Sequence, residues 1–222
     1  MTNEQQKFDI PIIAIHGHKG SGKSYYARQV FQFLVSNGTE RGDLINEREV
    51  SLLVPYLGRF APGRVTMIAF ADLLKEILVA QGKATLEEVL RTRKTREYRN
   101  HLIDTATNLR EIYGQSFFAN ALCTRMLMSA EKNGSPTVFI IDDLREEHEE
   151  QALLQFSSQC LLCTVNAPRR SADTFQREAN GSQQTLIKHT THSSETGLNH
   201  KTCDRATAES NGYHFVDNDY RF

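Results

Sequence analysis

Apolar positions along the chain gather into short, β-branched runs: Ile10 to Ile15 ("IPIIAI"), Val65 to Phe70 ("VTMIAF"), Thr137 to Ile141 ("TVFII"), Leu161 to Val165 and Tyr213 to Val216. These runs are continuous rather than alternating with polar residues. That pattern predicts strands covered on both faces, as in a parallel sheet of about five strands. Between the runs the apolar period changes to that of a helix. Tyr26, Val30, Phe33 and Leu34 predict a helix over Lys23 to Ser36, stopped by Asn37-Gly38. Tyr98, Leu102, Ala106, Leu109 and Tyr113 mark one face of a helix from Lys94 to Tyr113, and Phe117 to Met128 predicts another. Residues 39 to 63 form a long link carrying a short helix near Asp43 to Val54. Strands alternating with helices predict an α/β fold of three layers, with helices on both faces of the sheet.

One stretch has neither period. "NGSQQTLIKHTTHSSETGLNH", Asn180 to His200, is polar and rich in turn formers, and the segment 169 to 200 is expected to be a mobile lid. The chain's 222 residues suit a single domain, residues 1 to 222, including the link and the lid. A formal net charge of −1 gives no overall attraction to nucleic acid or to an anionic membrane. The polar start "MTNEQQKFD" and the shortness of every apolar run lead to the expectation of a cytoplasmic protein whose four cysteines are free thiols.

The first predicted strand runs into "HGHKGSGKS". Gly17-His18-Lys19-Gly20-Ser21-Gly22-Lys23-Ser24 fits G-x-x-x-x-G-K-[ST], with an apolar strand before it and an amphipathic helix after it. Side chains are sparse there so that backbone N–H groups can wrap a nucleotide's phosphates at the positive end of the following helix. The motif therefore predicts a P-loop NTPase fold binding ATP and Mg²⁺. Gly17, Lys19, Gly20, Ser21, Gly22, Lys23 and Ser24 form the cofactor site. Lys23 reaches the β- and γ-phosphates, and the Ser24 hydroxyl is offered to the metal.

A second candidate lies in "TVFIIDDLRE", where an apolar strand ends in Asp142-Asp143. A P-loop enzyme places an acidic residue there, close to Mg²⁺ and its water. The planar fork of Arg145, two residues on, suits a phosphate. The basic cluster "RTRKTREYR" (Arg91, Arg93, Lys94, Arg96, Arg99) reads as a solvated helix face. Cys160 and Cys163 have knuckle spacing, but residues three apart in a strand point to opposite faces. His189 and His192 lie in the polar loop without a nearby cysteine or carboxylate pair. Neither pair predicts a metal site. No serine, histidine and aspartate arrangement for nucleophilic catalysis stands out.

"GHKGSGKS", "FADLLKE" (Phe70 to Glu76), "LREIYGQSFFANAL" (Leu109 to Leu122), "IIDDLREEHE" (Ile140 to Glu149) and "HSSETGL" (His192 to Leu198) follow one another in this order. Over roughly residues 12 to 216 the chain resembles the deoxynucleoside monophosphate kinases. The animal-type phosphomevalonate kinases share much of the same order. Leu73 stands where the kinase family often has proline, and the insertion at 39 to 63 lengthens the first crossover.

The resemblance implies ATP at the P-loop and an acceptor phosphate bound between the core and mobile helices. It carries Lys23 and Ser24 to ATP and magnesium, and Asp143 to the metal. Lys75, Arg110 and Arg145 become candidates for the phosphates. Independently of the resemblance, Arg177 is the expected closing contact of the lid, since in "SADTFQREA" Phe175 can anchor the segment while the guanidinium two residues on points to another side. The expected catalytic set is Lys23, Asp143 and Arg145. The expected activity is transfer of the γ-phosphoryl of ATP to a deoxynucleoside monophosphate. Phosphomevalonate kinase and a nucleotide-dependent switch without an acceptor are the alternatives. The expected partner is a small phosphate acceptor, with no membrane and no stable nucleic-acid binding, and a homodimer is compatible with this reading.

Overall fold

The computed structural model describes residues 7–41, 43–57, 64–90, 95–133, 137–167 and 197–218. Five strands, β1 (Ile12–His16), β2 (Val65–Ile68), β3 (Val138–Leu144), β4 (Cys160–Asn166) and β5 (Tyr213–Asp217), form one sheet in the order β2-β3-β1-β4-β5. Every pairing is parallel, as the continuous apolar runs require. The helices are α1 (Lys23–Val35), α2 (Glu47–Leu53), α3 (Phe70–Ala80), α4 (Leu86–Leu90), α5 (Arg96–Tyr113), α6 (Phe117–Asn133), α7 (Glu147–Phe156), α8 (Asn199–Thr202) and α9 (Arg205–Ser210). The chain has the three-layer α/β architecture of a P-loop NTPase.

Strand alternation divides the core in two. Ile12, Ala14, Phe139 and Ile141 face one layer with Phe70, Leu122, Met126 and Leu153. Ile13, Ile15, Val138 and Ile140 face the other with Tyr26, Val30 and Phe33 of α1. Full burial of each such aliphatic or aromatic side chain stabilises the fold by about 1.5–3 kcal/mol relative to exposure.

The link at 39 to 63 belongs to this second layer. Leu44, Ile45 and Leu53 are buried there. Its helix is shorter than expected because a capping box, Asn46 with Glu49, sets the start of α2, and Pro55 turns the chain into a 3₁₀ segment, Val54–Tyr56. Glu49 also accepts a hydrogen bond from His214 Nε2 at 3.3 Å, joining α2 to β5 inside the core.

Two boundaries near the site differ from the expected ones. β2 stops at Ile68 rather than Phe70, because carboxylates organise the start of α3: Asp72 Oδ2 accepts the Ala69 N–H at 2.8 Å. β3 continues to Leu144, so Asp142 and Asp143 lie within the strand. The register against β1 slips between Ala14↔Ile141 and His16↔Leu144, a bulge that contains both aspartates.

Candidate active site

β1 delivers the chain into the glycine-rich loop, and α1 takes it out. Gly20 and Gly22 have φ of 84° and 87°, the left-handed region that favours glycine. Gly17 is needed for closeness: a Cβ there would stand 2.6 Å from Ser21 Oγ and 2.6 Å from the Val165 carbonyl oxygen. The loop is thus pressed onto the end of β4. Among the described residues no side chain caps the N-terminus of α1, and no acidic residue lies in its first turn. Such a terminus suits an anion, which fits the phosphates of ATP. Ser24 and the β3 aspartates are the hard oxygen donors that Mg²⁺ prefers.

His16 closes β1 beneath this loop. It is 4% exposed, and its Nδ1 donates to the Leu144 carbonyl at 3.0 Å, bridging the strands where the bulge interrupts their ladder. Burial, with help from His18, Lys23 and Arg145, lowers the imidazole to about 4, so it is neutral at physiological pH. Its Nε2 is buried without a hydrogen-bond partner among the described residues.

Asp143, the expected metal carboxylate, is engaged with the start of α3. Its Oδ1 accepts the Phe70 N–H at 2.9 Å and its Oδ2 the Ala71 N–H at 3.0 Å, so both oxygens hold the first turn of α3. Desolvation raises this carboxyl above the usual range despite those bonds. The bulge interrupts strand alternation here, since Leu144 shares the layer of Phe139 and Ile141. With both Asp143 oxygens engaged by backbone N–H groups, Asp142, its neighbour in the bulge, is the other carboxylate at this strand end.

The helices between β2 and β3 bring cations to the same end of the sheet. Lys75, on α3, donates to Asp72 Oδ1 at 2.8 Å. Burial opposes its charge, but Asp72 and then Asp143 raise its ammonium above the ordinary lysine value. Arg110, near the end of α5, places Nη2 3.8 Å from Glu149 Oε1, and its guanidinium lies 5.6 Å from the centre of the Phe118 ring. Its Nε is buried without a hydrogen-bond partner among the described residues.

Glu149 is 4% exposed and caps α7. Its Oε2 accepts the N–H groups of Arg145 at 3.0 Å and Glu146 at 3.1 Å. Burial and the neighbouring Asp143 push this carboxyl up to about 7.

The structure therefore gathers the P-loop, Asp142, Asp143, Arg145, Lys75 and Arg110 at one end of the sheet. A model of the AAA ATPase domain family matches residues 2–169, some three quarters of the chain. The chain belongs to the AAA ATPase domain family. No curated protein matches it. As an AAA ATPase domain it is a nucleotide-binding P-loop protein, which agrees with the loop geometry above.

Arg177, Arg91, Arg93, Lys94, His189, His192 and nearly all of the expected lid lie outside the described residues. Where the chain re-enters at residue 197, Leu198 is fully buried, and Lys201 joins α8 to α7 through Glu150 at 2.7 Å and Glu147 at 2.9 Å. Cys160 and Cys163 belong to opposite core layers and form no knuckle. No helix among the described residues is long and apolar enough to cross a membrane.

Three residues of this region escaped the sequence reading: His16, Glu149 and Asn218. Asn218 follows β5, is fully buried, and its Nδ2 donates to the Ser21 carbonyl at 2.7 Å. A signal existed for Glu149, since Glu146 and Glu149 have capping-box spacing. His16 was legible only as a polar residue ending an apolar strand. Nothing in the sequence singles out Asn218.

Proposed function

We propose that this AAA ATPase domain transfers the γ-phosphoryl group of ATP to the phosphate of a small acceptor, a deoxynucleoside monophosphate. The observation that supports this reading is the convergence of Lys75 and Arg110, from helices inserted between β2 and β3, on the strand end that carries Asp143 and leads to Arg145. A second phosphate beside the P-loop suits these additional cations. The order of the kinase-like motifs along the chain supports the same acceptor class.

In this mechanism an acceptor phosphate oxygen attacks the γ-phosphorus, and the bond from that phosphorus to the β–γ bridging oxygen breaks. The nucleophile is already anionic, so no strong general base is required, and positioning and charge neutralisation supply most of the acceleration. Lys23 neutralises the transferred group, and loop N–H groups hold the phosphates. A bound magnesium ion would supply charge neutralisation at the phosphates. Ser24 and Asp142 are its proposed protein contacts. Asp143 acts behind them by fixing the start of α3, and with it Lys75. Arg110 and Arg145 receive the acceptor phosphate, and Arg177 is proposed as a contact made on closure.

The family match favours a second reading, hydrolysis of ATP without an acceptor. One assay separates the two. Purified protein is incubated with ATP and Mg²⁺, alone and with each deoxynucleoside monophosphate or phosphomevalonate, and both phosphorylated acceptor and free phosphate are measured. The kinase reading expects a phosphorylated deoxynucleotide and little free phosphate. Phosphate release independent of any acceptor would replace it with the hydrolase reading, and product from phosphomevalonate alone would change the acceptor.

A further inference from the structure

A loop that turns its N–H groups outward to an anion turns carbonyls inward, and a buried carbonyl needs a donor. Ser21 is fully buried at the centre of the P-loop. Its N–H donates to the His18 carbonyl at 3.1 Å, which fixes the peptide on its N-terminal side. The peptide on the other side, Ser21–Gly22, is held from 197 positions away by the Asn218 side chain, through the 2.7 Å bond to the Ser21 carbonyl. Asn218 is itself anchored, since its backbone N–H donates to the Asn166 carbonyl at 2.8 Å, joining the ends of β5 and β4.

The peptide unit is planar and trans, so the Ser21 carbonyl and the Gly22 N–H point in opposite directions. Pinning the carbonyl inward therefore aims the Gly22 N–H outward. Gly22, whose φ turns that plane, offers little resistance to its rotation, because glycine occupies both signs of φ readily. The loop's own sequence leaves the orientation undetermined, and a residue from the far end of the chain supplies it.

We infer that Asn218 is a positioning residue for nucleotide binding: it locks the Ser21–Gly22 peptide so that the Gly22 N–H faces the phosphates. This rests on the reading that the P-loop binds ATP, and it is independent of the acceptor. Without the Asn218 donor, the peptide samples a flipped orientation in which a carbonyl oxygen faces the phosphates and repels them.

The test uses the full chain. Isothermal titration with Mg²⁺ and a non-hydrolysable ATP analogue should show Asn218→Ala binding about tenfold more weakly than wild type, the effect of losing a buried hydrogen bond to a carbonyl. Asn218→Asp carries an acceptor at pH 8 and should be at least as weak there. Acidification protonates that carboxyl and restores a donor, so its affinity relative to wild type at the same pH should recover.

A purely structural role would lower the unfolding temperature and leave the affinity of the folded protein unchanged. Wild-type affinity in both variants would overturn the inference. If Asn218→Ala does not fold, Asn218→Asp across pH decides the matter. Amide resonances of ¹⁵N-glycine-labelled protein without nucleotide give an arm that needs no binding. The Gly22 signal should be single in wild type and broadened or doubled in the variants, and an unchanged signal overturns the lock. If wild type itself does not bind the analogue, the nucleotide reading fails, and the lock is judged by the Gly22 signal alone.

Discussion

The Asp143 carboxylate accepts the Phe70 N–H at 2.9 Å, across 73 residues of chain, and its other oxygen takes the N–H of Ala71. One strand residue thereby sets where α3 begins, and α3 carries Lys75.

Asp143→Asn replaces one of those acceptor oxygens with an NH₂ group facing an N–H donor. The expected cost is about 1–3 kcal/mol of stability, the range for a buried hydrogen-bonding group left unsatisfied. Asp142→Asn should cost less stability than Asp143→Asn, yet raise the Mg²⁺ concentration needed for half-maximal activity. Chemical denaturation and a magnesium titration on both variants check this. A stable Asp143→Asn enzyme with weakened magnesium dependence would return the metal contact to Asp143.

Lys23→Ala should reduce phosphoryl transfer by at least about 10²-fold, the scale for removing one preorganised stabilising group from a developing charge. Lys23 lies at the start of α1 and outside both core layers, so circular dichroism and the unfolding temperature should be close to wild type. Steady-state rates at saturating ATP test the first part, and near-normal turnover would contradict the P-loop role.

Arg110→Ala should raise KM for the acceptor by about 10- to 150-fold, the equivalent of the roughly 1.5–3 kcal/mol of a hydrogen bond to a charged group, and leave KM for ATP unchanged. Arg110 lies on α5, where it contacts Glu149 and Phe118. Initial-rate kinetics varying each substrate in turn provide the measurement. An equal rise in both constants would assign Arg110 a general structural role.

Two buried groups should give stability opposite dependences on pH. Glu149 stands at about 7 in the folded protein, above the ordinary carboxylate value of 4.5. Between those values the folded state holds more protons, so this residue makes stability fall as pH rises from about 4.5 to about 7. Glu149→Gln keeps an acceptor for the N–H groups of Arg145 and Glu146 but cannot ionise. Its stability relative to wild type should therefore increase across that window.

His16, at about 4 against an ordinary 6.5, works the other way: the unfolded state holds more protons, and stability falls as pH drops from about 6.5 to about 4. His16→Asn should be less stable than wild type at pH 8 and lose less on acidification. Urea denaturation of both variants and wild type at half-unit pH steps measures these slopes.

The sequence by itself determined the periods and the loop. Continuous apolar runs with β-branched residues can be satisfied only by strands buried on both faces, so the parallel sheet was readable at each run. G-x-x-x-x-G-K-S between a strand and a helix has one economical physical use, because its spacing suits backbone amides rather than side chains. The tertiary structure decided which distant residues meet. Asp142 and Asp143 are adjacent in sequence, and only the placement of α3 gives Asp143 its N–H partners at Phe70 and Ala71. The core role of Leu44, Ile45 and Leu53 in the link was unreadable because their spacing is too short to reveal a face. Asn218 carries no local signal at all. Its importance comes from strand order, which seats the end of β5 beside β4 and beneath the P-loop, and a hydrogen bond spanning 197 residues exists only once the sheet has formed.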